Sequence, residues 1–234
     1  MSTPRGLLDP STGLFVKDDF FSNDLVTDNN IGELGWELTT LGNASTLAYQ
    51  TSKQHGVLRM TTAATATGDG AVLALFTDAL VIGPKGFELK ARIQYPVELA
   101  SGNFRIGLDD SVTTTDGTVG VTFDSDAGVI NCKTDSATEG DENLLVTGHA
   151  DLTSGTTMVV AEWVDFHIVV TGPANAAGGP SEAVFFMNGI FVARLPVHMD
   201  NDEPMELKFI HWQDSGGSDA VALEVDYISL FIPR

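Results

Sequence analysis

The segment 220–232, Ala-Val-Ala-Leu-Glu-Val-Asp-Tyr-Ile-Ser-Leu-Phe-Ile, constrains the fold more than any other part of the chain. Val221, Leu223, Val225, Tyr227 and Leu230 fall near one face and Glu224 and Asp226 on the other, the period-2 pattern of a strand half buried in a sheet. A run this apolar is expected to pair inside a sheet and close the fold, because an exposed edge of that composition would template aggregation. Earlier segments repeat the alternation at short intervals, which predicts a two-sheet β sandwich.

The 234 residues suit one large all-β domain, and a hydrophobic share of 43% is enough for a sizeable core. Lys and Arg number 12 against 32 Asp and Glu, a formal charge of −20. A field of that sign repels phosphate backbones and anionic lipid, so neither nucleic acid nor membrane is expected as a partner. Solubility is the plain reading of this charge; cation binding and docking on a basic partner are the alternatives. Cys132 is the only cysteine, which excludes an internal disulfide. The first ten residues carry one basic residue and no long apolar run, and no later stretch reaches about 20 apolar residues, so neither a signal peptide nor a membrane span is expected.

Residues 1–17 carry Pro4, Gly6, Pro10 and Gly13 around Leu7, Leu8, Leu14 and Phe15. That mixture is too broken for a helix and too apolar for a solvated tail, so it reads as an extended N-terminal arm. The arm either lies on its own domain or reaches a neighbouring subunit. Residues 18–234 form the sandwich, with candidate strands at 45–50, 56–62, 70–77, 86–95, 102–109, 117–124, 128–133, 143–147, 156–170, 182–195, 205–211 and 220–232. Turn chemistry separates them, and Asn188-Gly189 between two apolar runs predicts a hairpin with a type I′ turn.

Several words in these strands carry a family resemblance. Asp18-Asp-Phe20, Gly32-Glu-Leu-Gly-Trp36, His55-Gly-Val-Leu-Arg-Met60, Phe87-Glu-Leu-Lys-Ala-Arg-Ile93, Phe104-Arg-Ile-Gly-Leu-Asp-Asp110, Gly120-Val-Thr-Phe-Asp-Ser125, Phe166-His-Ile168 and Val225-Asp-Tyr-Ile228 occur in that order. Together they resemble the concanavalin A-like (laminin-G-like) jelly-roll proteins of tailed bacteriophage virions. The resemblance implies a sandwich of two curved antiparallel sheets and a non-enzymatic structural role, first of all as a capsid decoration or cement protein. Its alternative is a carbohydrate-binding module of a tail appendage or capsid surface. The implied partners are the major capsid protein or other virion proteins, further copies of the chain in a homo-oligomer, and a cell-surface glycan. The implied location is the virion, assembled in the host cytoplasm. In that setting Leu7, Leu8, Leu14 and Phe15 are the partner-binding residues of the arm.

Trp36 is expected to plug the first sheet, with a partner for its N–H. Arg92 and Arg105 stand in otherwise apolar strands, where a guanidinium needs carboxylates such as Glu88 or Asp109. Glu224-Val-Asp226 supplies two members of the carboxylate set that concanavalin A-like glucanases carry on one strand, but the third is missing, so no catalytic residue is assigned. Among the turn acids Asp124 and Asp126 are the candidate ligands for Ca²⁺, against a plain reading as solvated acids; no other cofactor is expected. The five histidines are scattered without metal spacing, which argues against zinc, and His167 is expected to point outward. Trp212, beside His211 and before the Gly-rich 215–218 loop, is the candidate glycan contact, with core packing as the competing reading.

Overall fold

The computed structural model describes residues 8–9, 13–20, 31–32, 34–43, 45–50, 56–96, 102–110, 117–126, 129–136, 142–147, 152–153, 157–176, 178–199, 204–213 and 220–233. Its strands in chain order begin with β1 (Leu8–Asp9), β2 (Gly13–Asp18), β3 (Glu37–Leu41), β4 (Thr46–Tyr49), β5 (Leu58–Thr61) and β6 (Gly70–Val81). They continue with β7 (Phe87–Gln94), β8 (Gly102–Asp109), β9 (Gly120–Asp126), β10 (Val129–Asp135), β11 (Glu142–Leu145) and β12 (Leu152–Thr153). The last are β13 (Thr157–Met158), β14 (Val164–Thr171), β15 (Glu182–Met187), β16 (Ile190–Pro196), β17 (Pro204–Gln213) and β18 (Ala222–Pro233).

The strands form two antiparallel sheets of a jelly-roll sandwich. The first sheet runs β1-β2-β18-β7-β14-β15-β16, with β5 on β18 and β4 on β5. The second runs β12-β13-β10-β9-β8-β17-β6-β3, with β11 on β10. The C-terminal strand organises the first sheet as its composition requires. One edge of β18 pairs β5 through Ala222–Val225 and β2 through Ile228–Pro233; the other edge pairs β7, with a bulge between Val225 and Tyr227. Inward residues of both sheets, among them Leu89, Ile93, Phe166, Phe185, Phe123, Phe209 and Leu223, make one continuous core.

Of the two courses open to the arm, its described residues from Gly13 onward lie on their own domain. Gly13–Asp18 is a strand of the first sheet, paired residue for residue with β18, and β1 adds to it. Its alternation explains this: Val16 turns inward while Phe15 and Lys17 face out, so the segment completes the sheet edge. Leu14 packs against the core and Phe15 stays exposed. Leu7 lies outside the described residues, as does the side chain of Leu8. The predicted hairpin forms between β15 and β16, with positive φ at both Asn188 and Gly189 as a type I′ turn requires.

Trp36 is buried and its Nε1 donates to Asp18 Oδ2 at 3.0 Å. At the opposite end of the interior His211 is buried against Tyr95 with edge-on rings. Its Nδ1 lies 2.8 Å from the Asn103 carbonyl oxygen and its Nε2 3.1 Å from that of Val221. A neutral imidazole donates to one of these only. Burial nevertheless holds its pKa below the ordinary 6.5, the carbonyls opposing that shift. The unfolded chain therefore takes up this proton first, and stability is expected to fall as pH drops below about 6.5. Urea midpoints from about pH 8 to about pH 5 measure the slope, and His211→Gln should flatten it. An unchanged slope in the variant assigns the pH dependence elsewhere.

Candidate functional site

The outward face of the second sheet carries charge where a scaffold needs none. β8 places Phe104, Ile106 and Leu108 in the core, so Asn103, Arg105 and Asp109 project from the other side. By the same alternation β9 projects Thr122 and Asp124, β10 projects Asn131, Lys133 and Asp135, and β17 projects Glu206, Lys208, Ile210 and Trp212. Cross-strand register aligns them. Asn131, Asp124, Arg105, Ile210 and Val72 form one line across five strands; Lys133, Thr122, Gly107, Lys208 and Ala74 form the next.

Arg105 is the centre of this face. Its Nε and Nη2 donate to Asp124 Oδ2 at 3.1 and 2.9 Å, and Nη1 donates to Asp109 Oδ2 at 3.4 Å. Lys133 Nζ donates to the same Asp124 oxygen at 3.0 Å, while Lys208 pairs with Glu206 at 3.1 Å. Arg105, Asp109, Asp124, Glu206 and Lys208 are all buried. The Thr122 hydroxyl, buried among them, has no hydrogen-bond partner among the described residues. The face opens on the β10 side, where the Lys133 side chain is 15% exposed and Asn131 is half-buried. On the far side Trp212, Ile210 and Val72 pack with Leu41 into a small apolar cluster, and the Arg105 guanidinium lies 5.8 Å from the Trp212 ring centre.

The structure thus brings Asp124 and Trp212 onto one face with Arg105 between them. Trp212 is 7% exposed, so packing covers most of its ring. Asp124 already has two cations on one oxygen, a surrounding that disfavours Ca²⁺ there. The Asp126 side chain lies outside the described residues, and no group of three metal-ligating side chains gathers among the described residues. Glu224 and Asp226 belong to the other sheet, bound to Arg59 with Gln94 and to Arg92 respectively. Arg105 does meet Asp109, but the carboxylates of Arg92 are Asp165 and Asp226, because Glu88 takes Lys90 and His167. His167 points outward as expected, stacked on Phe186.

Thr122, Lys133, Glu206 and Lys208 were not singled out from sequence. Each sits at the polar step of an alternating strand, as in Thr122-Phe-Asp124 and Glu206-Leu-Lys208, a pattern that reads as a solvated face. The only available signal was three such polar steps of opposite charge on strands that pair.

No family model matches the chain. No curated protein matches it either. Solved structures do. The endo-β-1,4-glucuronan lyase of Trichoderma reesei superposes with a TM-score of 0.60 at 10% identity over 93% of this chain and 97% of that one. The cellulose-induced protein Cip1 gives 0.58 at 16% identity over 92% and 96%. The metal-free carbohydrate recognition domain of Emp46p gives 0.55 at 8% identity over 92% and 95%. Likeness at this identity establishes the concanavalin A-like jelly-roll fold and nothing finer. None of the three is a virion protein, so the bacteriophage setting and the capsid decoration role find no support in them.

Proposed function

We propose that the protein is a carbohydrate-binding module whose binding face is the outward side of the second sheet. The buried lattice of Arg105, Asp124, Lys133, Lys208 and Glu206 carries this reading. Burying charges costs several kcal/mol per ion before pairing offsets it, and an all-β scaffold gains more from apolar residues at such positions. A sugar hydroxyl both donates and accepts, so it suits a surface where carboxylates alternate with guanidinium, ammonium and hydroxyl groups. Lys133 and Asn131, which keep part of their side chains in solvent, are the first groups a glycan meets from the open β10 side. Each described carboxylate of the triad Asp109, Asp124 and Glu206 is ion-paired; a glycosidase instead keeps one carboxyl in apolar surroundings as its acid. That supports binding without turnover. The carbohydrate recognition domain and the lyase among the similar structures support the same substrate class.

A glycan array probed with the wild-type protein tests this. Binding is expected, and Lys133→Ala and Asn131→Ala are each expected to weaken it by about tenfold, the worth of one hydrogen bond of this kind, with circular dichroism showing each variant folded. A blank array, or binding indifferent to both substitutions, overturns the assignment.

The virion setting of such a module, in a tail appendage or on a capsid surface beside the major capsid protein, is carried by the order of the sequence words alone. Antibody labelling of purified particles tests it: labelled particles support it and unlabelled ones reject it.

A further inference from the structure

The outward face of the first sheet differs from the rest of this acidic chain. Six adjacent strands, β2-β18-β7-β14-β15-β16, present it. Aromatic side chains stand at both ends. Phe15, 38% exposed, is the cross-strand partner of Phe231 at one end. At the other, Phe191, 55% exposed, meets Phe186 edge-on, and Phe186 stacks on His167. Between them the ion pairs close on the face itself: Lys90 with Glu88 at 2.6 Å, and Arg92 with Asp226 at 3.4 Å and Asp165 at 3.7 Å.

We infer that this face joins two copies of the chain, sheet against sheet. A net charge of −20 makes most of the surface repel a second copy, whereas this face holds both signs side by side and adds exposed aromatics. Its arrangement suits a two-fold axis. An axis parallel to the strands between β7 and β14 keeps the strand register, so it lays Phe231 and Phe15 of one copy over Val184 and Arg194 of the other, and Phe186 and Phe191 over Ser229 and Lys17. The same operation brings Arg92 over Asp165 of the second copy, so one contact occurs twice, as an isologous interface demands. The size is adequate. Six strands span about 24 Å and the eight-residue strands β7 and β14 about 27 Å, a flat footprint of about 650 Å², toward the lower end of the standard interface of roughly 800 Å² per partner.

Such a dimer has a consequence that rests on the proposed glycan-binding reading. The two first sheets meet in the middle, and the two charged faces point away in opposite directions. One dimer would then bridge two glycan-bearing surfaces, one on each side, rather than engage a single surface twice.

Mass in solution tests the interface independently of any glycan. Light scattering behind size exclusion at about 50 μM is expected to give twice the 24.8 kDa chain mass. Phe191→Glu is expected to return the protein to 24.8 kDa, raising the dissociation constant about 100-fold or more. Phe15→Glu, at the other end of the face, is expected to do the same, while Val81→Glu, exposed on the second sheet, should leave the dimer intact. Both test positions are solvent-exposed, so circular dichroism should report unchanged folding. A wild-type mass of one chain overturns the inference, as does a dimer that survives both phenylalanine substitutions.

Discussion

Replacing Arg105 by leucine is expected to destabilise the protein by about 3–5 kcal/mol, the loss that follows when one member of a buried ion pair is removed. The guanidinium makes at least three hydrogen bonds to carboxylates, those of Asp124 and Asp109 among them, and is itself buried. Leucine fills much of the volume but leaves both acids in place with one cation fewer. For a domain of this size the corresponding drop in melting temperature is about 10 °C. Lysine is not a remedy, because an ammonium cannot place three donors along two directions at once. The double substitution Arg105→Leu with Asp124→Leu should recover at least about 1 kcal/mol of the single loss, since it removes a charge together with its partner. Urea denaturation of the three variants measures this. A loss below about 1 kcal/mol for Arg105→Leu would mean that water reaches the face and that the lattice is not a buried one.

The buried status of this lattice also marks the limit of what the chain discloses by pattern. Period-2 alternation located most strands, because a strand with one face in a core must alternate. β8 is the plainest case: Gly102–Asp109 alternates Asn103, Arg105 and Asp109 with Phe104, Ile106 and Leu108. Alternation says which residues leave the core and nothing about what lies over them, so Arg105 and Lys208 read like solvated residues. β3 was missed for a related reason. In Glu37–Leu41 every side chain is exposed or half-buried, and an edge strand of Glu, Leu and Thr has little contrast between its faces. The arm keeps two readings at Gly13–Asp18, because Pro10 and Gly13 suggest broken structure although the segment beyond them alternates cleanly. Trp212 and Asp124 were both placed among site candidates, on separate arguments. Only the register of β17, β8 and β9, invisible in any one segment, sets them on either side of Arg105.

Asp18→Ala is expected to cost a comparable about 3–5 kcal/mol by a different route, the orphaning of buried donors rather than of charges. Asp18 is buried and accepts from at least three N–H groups, among them the Phe20 amide at 2.7 Å, the Leu34 amide at 3.3 Å and the Trp36 indole at 3.0 Å. One carboxylate thereby ties β2 to the turn between the bridged residues Ile31 and Trp36. Gly32 shows how tight that turn is. Its φ of +73° is one that glycine adopts freely, and a Cβ there would lie 2.2 Å from Asp18 Oδ2. Alanine at position 18 leaves the indole N–H with no acceptor in a closed core. The loss should therefore depend on the indole being present. In Trp36→Phe that donor is gone, and Asp18→Ala on this background should cost about 1–2 kcal/mol less than it does in the wild type. Trp36→Phe also leaves a cavity, but this term appears on both sides of the double-mutant cycle and cancels. Additive losses would show that Asp18 acts through its other donors, the Phe20 and Leu34 amides among them, as a turn cap, and that the tryptophan is held by its packing against Phe20 at 6.1 Å.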